Sequence, residues 1–467
     1  QALIHGWKGF GLPVVGMGPP TNGLISPLHT FGGVLWSSIF SAEMAITVLN
    51  SLCWGGVCWL MARLFPVLFP NPQAIRFQFI FMVLMVMLEP LFVRQAAMGG
   101  SEPLIAFMTL LVLAGLALRW PAWLVGFLLG GFMLSWVDGW LFALIVLGVV
   151  ARGSKKQALW MLPGLAVALA PWAWFNLTHF DTLLPAGVFA DIYLYRNDTF
   201  KELWLRFIHT LSLLFGLTYS GGGLNLFTGV FGLLLAGLGM RHLRAQDRVW
   251  HIMALNLGAY IFYMVVVHTN MTLGPMAMPR LMAFMFMVAG VSTALAGLRR
   301  WGVHAHLVRG CVVIFILLWS GGMVASAYHA GTWTRYYEGM RADIAAYLKK
   351  HVPNRVDGEA TVLTRQYGMI ALKGGVHVVD WYGRAEPEVQ EALQTQTGYH
   401  LVRIIKHMEP EWLVLRDRDV AYMNVAGFDV RGYYKFRQQF EMDLNAPAFL
   451  RDNPVYVLFE RNSRPLD

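Results

Sequence analysis

The chain has 467 residues, of which 57% are hydrophobic and only 13% charged, with a mean hydropathy of +0.51. Soluble globular domains carry about 25% charged residues, so a wholly water-soluble protein is excluded and a polytopic membrane protein is expected. Residues 331–467 hold 18 Lys/Arg and 18 Asp/Glu, so the net charge of +9 belongs to residues 1–330, where membrane topology accounts for it and nucleic-acid binding is not implied.

The first 25 residues, starting at Gln1, are loop-like, with neither a signal peptide nor a leading anchor; a segment upstream of Gln1 is therefore expected. SPLHTFGGVLWSSIF (26–40) reads as a helix lying at the outer interface. A helical crossing of a hydrocarbon layer about 30 Å thick needs about 20 apolar residues. Such runs lie near 45–63, 78–93, 101–119, 157–176, 222–240, 249–268, 279–298 and 307–327. Between them, 121–151 holds two shorter runs broken by SWVDG at 135–139, which reads as a tight helical hairpin. The total is about ten crossings, a polytopic α-helical fold. Residues 203–217 are amphipathic and must begin and end on one side of the membrane, so they read as a second interfacial helix.

Twelve Lys/Arg fall in the loops at 63–77, 119–121, 152–156, 241–248 and 299–309. The positive-inside rule makes those loops cytoplasmic. Residues 1–44, 94–100, 177–221, 269–278 and everything after 330 are then external. From 331 the composition becomes that of a soluble domain. A helical TRYYEGMRADIAAYLKKHV precedes β-branched runs at 360–364, 376–381, 412–416 and 455–460, with helical segments between them. That alternation predicts a small α/β domain over 331–467, following a membrane domain over 1–330. Cys53, Cys58 and Cys311 sit inside apolar runs and read as packing residues. Sequons at Asn176, Asn197 and Asn270 are weak signals.

Ionisable groups inside a bilayer either pair or line a water-filled cavity. Glu43, Arg94, Glu102, Asp138, His179, Asp181, His268 and Arg280 all fall toward the external side, with Glu89 the deepest acid. Their gathering at one face predicts a cavity that opens outward. Glu102 follows Gly99-Gly100-Ser101, and Ser101 reads as the N-cap of a helix with proline in its first turn. Its carboxylate either complements the helix dipole or lines the cavity. Asp138 is either a turn residue or a site residue. Arg280 is an interfacial anchor or, preferred here, a fork for a lipid phosphate. Arg94 could serve the same phosphate or pair with Glu102. His179 and His268 read as interfacial histidines before catalysts. No metal-ligand spacing, phosphate loop or nucleophile elbow appears.

Several segments, in order along the chain, resemble the GT-C superfamily of polytopic glycosyltransferases that use lipid-phosphate-linked sugars, in particular the bacterial arabinofuranosyl- and mannosyltransferases of the cell envelope. They are TNGLISPLHTF (21–31), MGGSEPLIAF (98–107), LSWVDGWLFAL (134–144), WFNLTHFDTLLPAGVF (174–189), MPRLMAF (278–284) and GMIALKGGVHVVDWYGRAEPEV (368–389). Trp136 and Val137 stand where the family often has Arg-Pro, Ala186 and Gly187 where Asn-Thr is frequent, and Asp191 where lysine is common. The resemblance implies transfer of a sugar from a polyprenyl-phosphate donor to a hydroxyl of a glycan, lipid or protein acceptor, outside the bacterial inner membrane. It implies that Arg280 holds the donor phosphate, that Glu102, Asp138, Arg94 and His268 line the substrate site, and that the catalytic acidic pair falls before Gln1. Membrane lipids are implied partners, and nucleic acid is not. No cofactor is implied with certainty, and assistance by a divalent metal stays open. A transporter or flippase of a lipid-linked or anionic substrate is the competing class, although such proteins often carry internal repeats and none is evident here. A membrane scaffold with a partner-binding α/β domain is a third.

Overall fold

The computed structural model describes residues 26–40, 42–69, 86, 89, 100–136, 139–180, 200–216, 222–240, 248–267, 277–300, 305–352, 361–364, 370, 374, 376–381, 389, 399–441 and 455–462. The chain falls into two compact units, one drawn from residues 26–175 and 197–330, the other centred on residues 331–467.

The first unit is helical. Its elements are α1 (Pro27–Ser37), α2 (Ala42–Leu68), α3 (Glu102–Ala117), α4 (Ala122–Ser135), α5 (Trp140–Gly153), α6 (Lys155–Phe180), α7 (Phe200–Phe215), α8 (Gly222–Gly239), α9 (Arg248–Phe262) and α10 (Ala277–Arg300). A π-helical turn, Tyr263–Val267, extends α9. The expected crossing at 78–93 lies outside the described residues apart from Val86 and Glu89. Helices α4 and α5 have 14 residues each, about 21 Å at 1.5 Å per residue, short of a 30 Å hydrocarbon layer. They are the two arms of the expected hairpin.

Among the described residues, four helical spans are long and apolar enough to cross a membrane: Met44–Leu68, Lys155–Thr178, Arg248–Val266 and Ala277–Ala294. Their burial ranks them from outside to inside: 11% of Lys155–Thr178 is buried, against 83% of Ala277–Ala294. The outer one presents Leu159, Trp160, Val167 and Trp174 on its surface. Large apolar side chains in that position need a hydrocarbon solvent, and with the spans they make this an integral membrane protein. Helix α10 is the core post: Ala277 to Val291 are buried without interruption.

Glycine brings α8 against α10. A methyl group on Gly239 would overlap the Phe286 carbonyl, and one on Gly290 would overlap the Leu235 carbonyl. Backbone cannot swing aside, so neither position tolerates a larger residue; small residues permit this close approach in membrane bundles generally.

Helix α11 (Ala305–His351) is a single run of 47 residues. The sequence reading divided it into a crossing and a separate helix, because composition changes near 330. A change of composition does not break a helix, and no proline falls within the run.

The second unit holds a five-stranded sheet with strands β1 (Thr361–Thr364), β2 (His377–Asp380), β3 (Trp412–Arg416), β4 (Tyr434–Phe440) and β5 (Tyr456–Arg461). Helices α12 (His400–Met408) and α13 (Asp417–Val425) and the single turn α14 (Val430–Tyr433) complete it. The order is β2-β1-β3-β5-β4, parallel from β2 to β3 and antiparallel from β3 to β4. Alternation splits its apolar residues between two faces. Leu363, Leu413 and Leu415 pack with Ile404, Ile405 and Met423 of α12 and α13. Val362, Val378, Val414 and Leu458 pack with Met340, Ile344 and Leu348. The four strands expected from the sequence are present; β4 was missed. Its five central residues, KFRQQ, are all exposed, so an edge strand buried only at its ends shows no apolar period.

The glycine contact gives a prediction. Gly290→Ala should destabilise the bundle by about 1–3 kcal/mol through overpacking, read as a lower thermal midpoint in nanodiscs. Gly258→Ala, where nothing lies within 4 Å, should leave the midpoint unchanged or raise it.

Candidate functional site

Two polar assemblies form inside the helical unit. The first ties α1 to the loops that precede α3 and follow α4. The Ser26 hydroxyl donates to the Ser135 carbonyl at 2.6 Å. The His29 imidazole Nε2 lies 3.1 Å from Asn50 Oδ1, and Asn50 Nδ2 donates to the Gly100 carbonyl at 3.1 Å. Asn50 is wholly buried in α2, so its amide is a rigid bridge between the interfacial helix and the GGSEP loop. Buried polar groups of this kind are retained because leaving one unsatisfied costs about 1–3 kcal/mol.

The same framework fixes Glu102 and the hairpin tip. Glu102 opens α3, where a helix N-terminus favours a carboxylate, and it is only 4% exposed. Ser101 is the residue before the helix as expected, but its side chain makes no cap bond; its carbonyl accepts from Ile105 N at 3.0 Å. Trp136 is buried against Tyr260 of α9, with ring centroids 5.9 Å apart. Trp136 thus anchors the tip by packing. Asp138, Arg94, His268 and Asp181 lie outside the described residues, as do the side chains of Glu43 and His179.

The second assembly is centred on Arg280. Its Nη2 donates to Glu89 Oε2 at 2.6 Å and to the Gly216 carbonyl at 2.9 Å. Its Nη1 donates to the Leu213 carbonyl. The guanidinium also sits 5.0 Å from the Phe284 ring, one turn along α10, an arrangement that adds a cation–π term. Arg280 and Glu89 have no exposed surface. Nε is buried and, among the described residues, no acceptor reaches it.

The arrangement follows from helix electrostatics. Arg280 lies in the first turn of α10, the positive end of that dipole and the wrong end for a cation. Leu213 and Gly216 carry terminal carbonyls of α7, the negative end of another helix, where orphan acceptors await donors. Burying the arginine there satisfies those carbonyls, and Glu89 cancels the charge. The structure therefore brings together Arg280 and the deepest acid of the sequence reading; Arg280 is not bonded to Glu102.

The sequence reading missed Arg206. It lies in α7, only 6% exposed, with Nη1 3.5 Å from the Val265 carbonyl in the π-helical turn. Thr210, four residues on, is buried on the same side, while Phe200, Trp204 and Leu205 are exposed. Helix α7 thus turns Arg206 and Thr210 inward beside a buried apolar end, Leu213–Phe215, while large apolar side chains of its first turns face outward. That polar pair was the available signal, since i and i+4 share a helix face. Among the described residues no group of three His, Cys, Asp or Glu side chains is placed to hold a metal ion.

Comparisons with known proteins place the architecture. A domain of unknown function, DUF8728, matches residues 329–459. None of the curated proteins compared with the chain matches it. A solved structure does: ArnT from Cupriavidus metallidurans bound to undecaprenyl phosphate. It is 14% identical, the match covers 93% of this chain and 87% of that one, and the TM-score is 0.50. This chain shares the fold of that structure.

The ion pair can be tested by stability. Removing either partner alone, as Glu89→Leu or Arg280→Met, should cost about 3–5 kcal/mol, because one buried charge is left uncompensated. The double variant should recover most of that loss in a nanodisc melt. Additive losses would show that the two side chains are not coupled.

Proposed function

We propose that this protein is a membrane glycosyltransferase that takes a sugar from a polyprenyl-phosphate donor and passes it to an acceptor hydroxyl on the extracytoplasmic side of a bacterial inner membrane. The observation that carries the reading is the likeness, over 93% of the chain, to ArnT in a structure holding undecaprenyl phosphate. The apolar exterior of the helical unit and its enclosed ionic groups are what a lipid-linked substrate requires.

The chemistry follows from the donor. A lipid phosphate is a good leaving group, so no general acid is needed to expel it. A carboxylate near the acceptor hydroxyl removes its proton as attack proceeds, and a single displacement inverts the anomeric carbon. Arg280 binds the donor phosphate through Nε, the donor with no acceptor among the described residues, while Glu89 and the α7 carbonyls hold the Nη edge in place. Its positive charge then stabilises the phosphate as the sugar–oxygen bond breaks. Because Arg280 is enclosed in this conformation, donor binding must be coupled to a change that exposes Nε. Glu102, held by the His29–Asn50–Gly100 framework, orients sugar or acceptor hydroxyls from the membrane side. Asp138, Arg94 and His268 complete the proposed substrate site.

Purified protein in nanodiscs should transfer label from a radiolabelled polyprenyl-phosphate sugar; absence of any transfer or glycosyl release would oppose the reading. The phosphate role has its own test in direct binding of undecaprenyl phosphate. Arg280→Lys keeps the charge and can still pair with Glu89, but has no counterpart of Nε. It should weaken binding about tenfold or more, since a charge-assisted hydrogen bond is worth about 1.5–3 kcal/mol. Glu89→Gln should lower stability yet tighten phosphate binding. Unchanged affinity in both variants would remove Arg280 from the site.

A further inference from the structure

His400, in the second unit, takes no part in the transfer chemistry above and sits where a positive charge is unwelcome. It is the first residue of α12, and no side chain caps that helix end. Its ring lies flat against Trp381, with centroids 5.2 Å apart and planes 7° from parallel. Trp381 is buried directly after β2, where its N–H donates to the Thr364 carbonyl of β1 at 3.5 Å. The stack therefore fastens the start of α12 to the carboxyl ends of the parallel strands. Tyr399 covers the edge of the imidazole, with ring centroids 4.5 Å apart. Leu401, Ile404 and Ile405 carry the helix on into the apolar cluster that also holds Trp381.

This seat suits a neutral ring. In an imidazolium both nitrogens donate, yet Nε2 is buried and has no hydrogen-bond partner among the described residues. A buried donor left unmet is costly, and a charged one more so. The first turn of a helix is also the positive end of its dipole. Arg403 stands one turn further along the same helix. The acid that acts on the ring from α13, Asp419, is already engaged by Arg416 of β3 through bonds of 2.8 and 2.9 Å. From β2, the side chain of Asp380 lies outside the described residues. Burial first, and then Arg403, push the imidazole from its usual 6.5 down to about 4, against the smaller opposing pull of Asp419.

We propose that His400 is an acid-sensitive latch, whose protonation unseats the ring from Trp381 and releases the start of α12 from the sheet. The inference rests on the second unit alone, whether or not the chain transfers sugar. Above pH 6.5 the ring is neutral both seated and free, so pH leaves the latch untouched. Between 6.5 and 4 the free ring takes up a proton that the seated ring excludes, and the seated state loses up to about tenfold per pH unit. Below 4 both forms are charged and the loss stops growing. The whole window amounts to on the order of a hundredfold.

The test is hydrogen exchange on the full chain in nanodiscs, read by mass spectrometry from about pH 7.5 to about pH 4. Slow exchange at the His400 Cε1–H reports the titration of that ring. Amide exchange over 399–404, corrected for the intrinsic rate, reports opening of the first turn of α12. The ring should titrate well below 6.5, and amide protection should fall on the order of a hundredfold across the window. His400→Phe keeps a ring for Trp381 but binds no proton, so its protection should stay level. Arg403→Gln should raise the titration point and shrink the loss. A wild-type ring that titrates at 6.5 or above would overturn the inference, and so would an equal acid loss in His400→Phe. The first of these readouts needs no variant, so it holds even where a substitution fails to fold.

Discussion

A cation placed at the start of a helix, in a core without water, has to find its compensation nearby. Arg280 is that cation, and its needs organise the helical unit. The terminal carbonyls of α7 meet two of its donors and Glu89 cancels its charge. This brings the end of α7 to the first turn of α10, which holds the most buried of the four spans. The glycine contacts between α8 and α10 lie further along that same post, where backbone approaches backbone. Clamp and close packing together leave α10 little freedom, so a group bound at its first turn would meet a pre-organised donor.

Pairing and access pull in opposite directions at such a site. An arginine open to lipid would be costly in hydrocarbon, whereas one paired with glutamate is tolerated but shielded. The observed conformation takes the second course. In the proposed mechanism the lipid phosphate meets Nε, the guanidinium nitrogen that no acceptor reaches among the described residues. The Ser26–Ser135 and His29–Asn50–Gly100 bonds act separately, fixing α1 to both loops around Glu102 and the hairpin tip.

Much of the helical architecture was legible in the sequence, because long apolar runs have few other ways to satisfy their backbone in lipid. The short hairpin was legible too, from SWVDG breaking two runs each too short to cross alone. Other features were hidden for physical reasons. Helix α11 runs through the change of composition near residue 330, since composition reports solvent and not backbone continuity. Strand β4 shows no alternation because an edge strand leaves its residues in water. Ser101 precedes its helix without capping it, for a residue type permits a bond without compelling it. Glu89 and Arg280 were each singled out, but their pairing spans 191 positions, and nothing local announces such a contact. Arg206 went unread because 203–217 was read as a whole, for its amphipathic pattern and its topology.

The direct measurement of the central claim is magnetic-resonance dephasing between arginine guanidinium nitrogen and phosphorus, on nitrogen-labelled protein holding undecaprenyl phosphate in phosphorus-free lipid. The expected result is dephasing of an Nε signal that disappears in Arg280→Lys. A spectrum in which no arginine Nε senses the phosphate, or in which the dephased signal survives that substitution, would contradict the account.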